Sequence, residues 1–144
     1  IPKTIIRSIK DLKVPLYGDG QQIRSWIYVN DHVHAIESLI SKGRSGETYN
    51  ITAYKEITNK TIVEKILDIL GKSHDMIEYV NDRPGHDKRY SIDCSKIEDQ
   101  IGWRPRYEFD DALKQTVNWY LQNQSWWEPL IDKDTLHTQP WTVS

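Results

Sequence analysis

The sequence of 144 residues has one cysteine, one phenylalanine and one methionine. A single thiol, Cys94, cannot form a disulfide within the chain, so the cysteine content predicts a reducing, cytoplasmic environment. No run approaches the roughly 20 apolar residues of a membrane-spanning helix, so we predict no membrane partner. The chain opens on Ile1 without an initiator methionine or a signal peptide, which suggests a fragment.

Neither sign of charge is in excess, because 19 Lys and Arg residues face 21 Asp and Glu residues. No large basic field exists to attract nucleic acid, and we predict no nucleic-acid partner. The length and the 38% of hydrophobic residues fit a globular domain of ordinary size.

The usual motifs of catalytic and cofactor sites are also missing. Gly18 and Gly20 flank one residue with no third glycine to complete a dinucleotide-binding turn, and no tyrosine is followed four residues later by lysine. His32 and His34 lie two apart on a predicted helix, where side chains do not face each other, so we assign no metal. Cys94 is interpreted as a structural thiol. We predict no catalytic residue in this chain.

Apolar spacing predicts a mixed α/β fold of short strands and about five helices. Helices are predicted over residues 2–12, 30–43, 59–71, 93–102 and 110–121, and strands over 14–17, 23–29, 48–51, 76–80 and 89–92. Asn30 or Asp31 is expected to cap the second helix. The side chains expected to face inward from that helix are Val33, Ile36, Leu39 and Ile40.

Aromatic side chains with a polar group are abundant, with six tryptophans and eight tyrosines. Such side chains suit half-buried surfaces in clefts and interfaces. From Gln124 onward no periodicity remains, although Trp126, Trp127 and Trp141 require burial. We therefore predict a lobe over residues 1–123 with an aromatic tail, residues 124–144, packed on it.

Two cationic segments favour a phosphate-bearing ligand. Arg24 lies in a predicted strand, and Arg83 and His86 share one loop. Guanidinium groups suit phosphate oxygens, and Pro84 and Gly85 would bring the backbone close to a ligand.

Tyr17, beside a predicted tight turn, offers an aromatic face for a base. Ordinary structural roles remain open for each residue taken alone, with Arg24 as a surface ion-pair partner and Tyr17 as a core residue.

Several motifs resemble the extended short-chain dehydrogenases that modify sugar nucleotides. PLYGDG at 15–20, QIRSW at 22–26, YVNDH at 28–32 and GETYNI at 46–51 fit epimerases, decarboxylases and dehydratases alike. DRPGHDKRY at 82–90 is more specific, because it is similar to the RPGHDRRY stretch of the dTDP-glucose 4,6-dehydratase family. IGWRP at 101–105 and WY at 119–120 also fit, so the resemblance covers about residues 1–127.

The resemblance implies that this chain is the C-terminal, substrate-binding lobe of a longer NAD-dependent hydro-lyase. The missing Rossmann lobe would bind NAD, carry the catalytic groups and form most of a homodimer interface, so the fragment alone would be inactive. The implied reaction converts dTDP-glucose to dTDP-4-keto-6-deoxyglucose and water. Without that lobe, apolar surface around Tyr17, Trp26 and the tail is expected to be exposed.

The resemblance also assigns substrate-binding roles. Pro15, Leu16 and Tyr17 would line the thymine pocket, Arg24 would hold the diphosphate, and Asn50 would bind nearby. The loop residues Asp82, Arg83, Pro84, Gly85 and His86 would close over the nucleotide. This sequence departs from the family pattern at Ser25, where Asp is usual, at Lys88, where Arg is usual, and at Thr52 and Ala53, where glycines are usual.

Two alternatives remain open from the sequence. The chain fits a lobe of another sugar-nucleotide epimerase or decarboxylase with a divergent loop, and it fits a stand-alone nucleotide-binding module without a catalytic lobe. The choice between NAD and NADP depends on the missing lobe.

Overall fold

Helices and short strands alternate along the computed structural model, which describes residues 1–131 and 136–137. The mixed α/β class is confirmed, with six α-helices among the described residues. The helices are α1 (Pro2–Ile9), α2 (Val29–Lys42), α3 (Asn59–Ile69), α4 (Ser95–Ile101), α5 (Phe109–Gln122) and α6 (Gln124–Trp127). The strands are β1 (Val14–Tyr17), β2 (Ile23–Ser25), β3 (Glu56–Thr58), β4 (Ile77–Val80) and β5 (Arg89–Tyr90). None of the described helices is long and apolar enough to cross a bilayer.

The strands form two small sheets joined by the segment 81–88. β1 pairs with β4 in parallel, so Tyr17 lies opposite Val80 at the end of that pair. β2 is the middle strand of the other sheet, antiparallel to β3 and parallel to β5. Residues 81–88 run from the end of β4 to β5, and they therefore pass between the end of β1 and the start of β2.

Three clusters of buried side chains hold the elements together. The first packs α1, α3 and α5 through Ile5, Ile57, Ile62, Ile66, Leu113 and Val117. The second joins α2 to α4 through Ala35, Cys94, Ile97, Ile101 and Trp103. The third places β1 on α3 through Val14, Leu16, Val63 and Leu67. The strand β1, which leads to Tyr17, is thus fixed from one side by a buried helix.

The sequence prediction is wrong for the strand expected over residues 23–29. β2 ends at Ser25, α2 already begins at Val29, and Tyr28 is its N-cap residue with no side-chain cap bond. Asp31 lies in the first turn of α2 and is 1% exposed. Its carboxylate accepts hydrogen bonds from the backbone N–H groups of Arg106 (2.8 Å) and Tyr107 (3.3 Å). Asp31 therefore ties the segment before α5 to α2 instead of capping a helix.

The orientation predicted for α2 is also wrong. Val33, Ile36 and Ile40 are 55%, 43% and 83% exposed, while Ala35 is buried against α4. Only Leu39 of the predicted set packs partly against that cluster. Val29, which is 63% exposed, lies one turn before Val33 on the same outward face of α2. α2 therefore has two apolar faces, as a helix covered on both sides would have.

Other predicted boundaries shift as well. Residues 48–51 form no strand, and α1 ends before Leu12, whose side chain is 39% exposed. Glu108, not Asp110, precedes α5 as the N-cap residue. In the tail, the Trp127 ring is buried and donates its Nε1–H to the Tyr120 carbonyl oxygen (2.8 Å), whereas Trp126 is 61% exposed. Trp141 lies outside the described residues, and the division at residue 123 stays a prediction.

We expect Asp31→Ala to lower the free energy of unfolding by about 2 kcal/mol, because two backbone N–H groups lose their acceptor in a buried setting. Urea unfolding followed by circular dichroism measures the change. Asp111→Ala, which removes an exposed carboxylate from the first turn of α5, is the matched control. Equal losses in the two variants would contradict the anchoring role of Asp31.

Candidate functional site

The segment 81–88 carries five of the ten predicted site residues and is held by backbone hydrogen bonds at both ends. The Gly18 N–H donates to the Val80 carbonyl oxygen (2.9 Å), and the Ile23 N–H donates to the Lys88 carbonyl oxygen (2.9 Å). The loop therefore crosses directly over the turn formed by residues 18–22. This crossing brings the loop next to Tyr17 on one side and Arg24 on the other.

Tyr17 is half-buried at the end of β1, close to charged groups of two other segments. Burial raises the pKa of its phenol, and the nearby Arg7 and Arg83 guanidinium groups partly oppose that rise. Arg83 is exposed on the loop and lies close enough to Tyr17 to act on it electrostatically. The structure thus brings these two predicted site residues together.

Asp82 connects the loop to the turn beneath it. Its Oδ1 lies 2.6 Å from His86 Nδ1 and accepts a hydrogen bond from the Arg83 N–H (2.8 Å). Its Oδ2 accepts a hydrogen bond from Gln22 Nε2 (3.0 Å). The hydrogen bond from His86 is the main reason why the pKa of the Asp82 carboxyl is lowered. The lowered pKa favours the ionised carboxylate, and both of its oxygens accept hydrogen bonds while 40% of the side chain stays exposed.

Gly18 has the small size and the backbone conformation that this crossing requires. Its φ of 60° favours glycine, and a Cβ atom placed there would lie 3.0 Å from Asp82 Oδ2. The side chain of His86 is only 6% exposed beneath the loop. The turn and the loop therefore pack closely at this point.

Arg24 reaches the far end of the same loop. Its Nη1 donates to the Ile23 carbonyl oxygen (2.7 Å) and its Nη2 donates to the Asp87 carbonyl oxygen (3.0 Å). A guanidinium group has further N–H donors, so these two bonds leave capacity for an anionic ligand. Arg24 consequently contacts the loop that carries Arg83 and His86, and the His86 side chain is nearly buried.

Asn50 lies in a different set of contacts. Its Nδ2 donates to the Asp93 carbonyl oxygen (2.9 Å), which joins it to the segment before α4. Within the described residues, no hydrogen bond links Asn50 to the loop 81–88. A place for Asn50 in the nucleotide site therefore stays a prediction.

Three of the residues that depart from the family pattern contact one another. Ser25 Oγ lies 2.7 Å from Thr52 Oγ1 and donates to the Ala53 carbonyl oxygen. Thr52 is buried, with 5% of its surface exposed. The hydroxyl pair ties the segment after Asn50 to the strand that carries Arg24. The two segments are distant in sequence, so the sequence alone does not indicate this contact.

Two cavities lie beside this region. Pro15, Leu16 and Tyr17 line a cavity of about 190 Å³ together with residues of α1 and α3, and Leu16 is at the same time buried in the core. A larger cavity of about 880 Å³ contains none of the ten predicted site residues. Aromatic rings dominate its wall, among them Trp26, Tyr28, Tyr54, Tyr107, Phe109 and Trp119. The abundance of Trp and Tyr was the sequence signal for this larger cavity.

The described residues do not fit an NAD site or a metal site. The two small sheets have no glycine-rich turn leading from a strand into a helix, and β3 passes directly into α3. No cluster of three or more His, Cys, Asp or Glu side chains suited to a metal ion occurs among them.

The Glu56–Arg89 ion pair links β3 to β5 across the strand that carries Arg24. Arg89 donates to both carboxylate oxygens, at 2.9 and 2.6 Å, and lowers the pKa of Glu56 from 4.5 to about 2. Because the pKa is lower in the folded state, the pair stabilises the fold above pH 4.5. That stabilisation is lost as the pH falls toward about 2.

We expect Glu56→Gln to flatten the decrease in unfolding free energy between pH 4.5 and about 2. Thermal unfolding at closely spaced pH values measures the decrease. Asp99→Asn, at an exposed acid on α4, should retain the full decrease. A Glu56→Gln profile parallel to that of the unmodified chain would show that the pair does not act on stability.

Comparison with known proteins agrees with the family resemblance. The family model described as GDP-mannose 4,6 dehydratase matches residues 1–116. A dTDP-glucose 4,6-dehydratase from Xanthomonas campestris pv. campestris is 44% identical over 141 residues, covering 92% of this chain and 40% of the relative. The chain thus spans about 40% of the length of the curated relatives that it matches.

Solved structures give the same result. The dTDP-glucose 4,6-dehydratase from Bacillus anthracis, in complex with NAD, has a TM-score of 0.84 at 45% identity and covers 90% of this chain and 41% of its own. DesIV, the dTDP-glucose 4,6-dehydratase from Streptomyces venezuelae, has a TM-score of 0.87 at 42% identity and covers 91% of this chain and 41% of its own. DesIV has been crystallised with NAD and TYD, and its double mutant with NAD and DAU. The resemblance stated from the sequence motifs is therefore confirmed.

Proposed function

We propose the following function because the chain belongs to the GDP-mannose 4,6 dehydratase family. The chain is the substrate-binding part of an NAD-dependent hydro-lyase that converts dTDP-glucose to dTDP-4-keto-6-deoxyglucose and water. Its similarity to proteins named dTDP-glucose 4,6-dehydratase supports this substrate over other sugar nucleotides. We also propose a cytoplasmic location and a homodimer formed through a lobe outside these residues.

One observation carries the proposal. Arg24, Arg83 and His86 come from two segments that are distant in sequence, and all three contact or belong to the loop 81–88. A diphosphate carries its charge on oxygens that such donors bind well, with about 1.5–3 kcal/mol for each well-made charged hydrogen bond. The adjacent Tyr17 ring supplies an aromatic surface for the base.

This arrangement assigns a binding role, not a chemical step, to the chain. Holding the nucleotide at the loop uses binding energy remote from the hexose to orient the sugar for reaction. The side chains of the proposed site keep the diphosphate at a defined place while the catalytic groups belong to the rest of the enzyme. NAD supplies the oxidation and reduction of the sugar in this proposal, and its binding groups lie in that other part.

In this proposal the rest of the enzyme packs against the outer face of α2 and against the larger cavity. Val29, Val33, Ile36 and Ile40 form an exposed apolar row, and Val29 also lines the cavity. Tyr17 and Trp26, the residues expected to be exposed, are half-buried instead. Since relatives are more than twice as long as the matched segment, additional polypeptide is available in the family to cover this face.

We expect dTDP to bind the chain more tightly than UDP when the two are compared by isothermal titration calorimetry. Arg24→Ala should weaken dTDP binding by about 2 kcal/mol, because a charge-assisted contact to the diphosphate is lost. Arg44→Ala, at an exposed arginine after α2, is the matched control and should bind normally.

Two results would redirect the proposal. Equal or tighter binding of UDP would favour another sugar-nucleotide epimerase or decarboxylase. Unchanged dTDP binding by Arg24→Ala would remove that residue from the site. The coding sequence upstream of Ile1 addresses the alternative of a stand-alone module, since the proposal requires a glycine-rich strand-turn-helix and a Tyr-x-x-x-Lys motif there.

We expect the chain by itself to bind a hydrophobic dye or to self-associate through the outer face of α2. The double variant Val33→Glu and Ile40→Glu should reduce both effects without lowering the unfolding temperature, because both side chains are exposed. Leu130→Glu, which changes another exposed apolar residue, is the control. Dye fluorescence and light scattering measure the effects, and a monomer without dye binding would contradict the expectation.

A further inference from the structure

We infer that Gln22 and Asp82 are a positioning pair that sets Arg83 and His86 for the nucleotide, and that the pair holds the proton of the neutral His86 ring on Nδ1. The inference rests on the proposed function, and it assigns Asp82 a different role from the direct nucleotide contact expected from the resemblance. It also adds Gln22, which belongs to the QIRSW motif but was assigned no binding role from the sequence.

Both carboxylate oxygens of Asp82 are occupied by groups of the chain itself. Oδ1 is shared by His86 Nδ1 and the Arg83 N–H, and Oδ2 is bound by Gln22 Nε2. A carboxylate would also repel a diphosphate at close range, because both are negatively charged. In this proposal Asp82 acts on the ligand through its two neighbours rather than by direct contact, although 40% of its side chain is exposed.

Gln22 is the anchor of this arrangement. It is 6% exposed, and its Nε2 donates to the Tyr17 carbonyl oxygen (3.3 Å) and to Asp82 Oδ2 (3.0 Å). Two acceptors on the same side determine which end of the amide faces them, so the nitrogen must point toward Asp82. Its backbone is held as well, because the Asn59 N–H donates to the Gln22 carbonyl oxygen (3.0 Å).

The other end of the Gln22 amide shows what this orientation costs. Oε1 is buried and has no hydrogen-bond partner among the described groups. A buried polar atom without a partner is unfavourable, and such atoms are uncommon in folded proteins. An apolar side chain of similar size would avoid the unpaired oxygen, but it would lose the two hydrogen bonds from Nε2 that hold the loop. These two bonds therefore explain why an amide occupies this position.

The geometry at His86 gives the pair its chemical consequence. An ionised carboxylate accepts hydrogen bonds only, and Oδ1 lies 2.6 Å from Nδ1, so Nδ1 must carry a proton. The neutral ring then has its lone pair on Nε2, which accepts from a hydroxyl or N–H group of a ligand, and the charged ring donates from Nε2 to a phosphate oxygen. Without Asp82 the ring would be free to exchange tautomers and to turn.

The experiment combines two measurements on the 144-residue chain. Nitrogen-15 chemical shifts of the His86 ring report the tautomer without any ligand, and calorimetry with dTDP reports nucleotide binding. The variants are Gln22→Met, which keeps the size of the side chain and removes both donors, and Asp82→Ala, which removes the acceptor. Asp99→Ala, at an exposed acid on α4 outside the proposed site, is the matched control.

We expect the unmodified chain to show the Nδ1–H tautomer and Asp82→Ala to lose that preference. Both variants should bind dTDP about tenfold more weakly, as loss of positioning by one or two hydrogen bonds predicts, while Asp99→Ala binds normally. The unfolding temperature of each variant is measured in parallel, so that binding is compared only among variants that are folded.

Three results would overturn the inference. They are an Nε2–H tautomer in the unmodified chain, wild-type dTDP binding by both folded variants, and an equal loss of binding in Asp99→Ala. Failure of the unmodified chain to bind dTDP would instead overturn the proposed function, and the nitrogen shifts would still decide whether Asp82 sets the tautomer of His86.

Discussion

The candidate site depends on one constraint, which is the fixed path of residues 81–88 between two sheets. Parallel pairing of β1 with β4 brings the loop out beside Tyr17, and pairing of β5 with β2 returns it beside Arg24. Backbone hydrogen bonds at Gly18 and Ile23 hold the two ends. Because both ends of the loop are held, its backbone follows a defined path between Tyr17 and Arg24.

Within that path, ionised groups are paired so that positive charge remains for a ligand. Asp82 is engaged by His86 and Gln22, and Glu56 is engaged by Arg89. Arg24 makes its observed bonds to neutral carbonyl oxygens. No carboxylate in the described part of the chain pairs with the Arg24 guanidinium, a state that favours an anionic ligand.

The departures from the family pattern make physical sense only in three dimensions. Ser25, Thr52 and Ala53 form one contact set, in which a hydroxyl pair replaces the carboxylate and glycines usual in relatives. The contact ties the segment after Asn50 to β2, so the changes affect how Asn50 is held relative to Arg24. Lys88 is not part of this contact set, and it anchors the loop through its backbone carbonyl oxygen.

The sequence by itself determined the α/β class, the family and the cationic residues of the site, because these depend on composition and on short motifs such as DRPGHDKRY. It also predicted the start of α3, where the structure shows that Thr58 Oγ1 accepts from the Thr61 N–H, because capping is local. Only the tertiary structure decided which face of α2 is buried, since apolar spacing does not distinguish a face that packs within this chain from one that awaits another partner. The same holds for Asp31 and Gln22, whose hydrogen-bond partners lie far along the chain and become neighbours only when the segments pack.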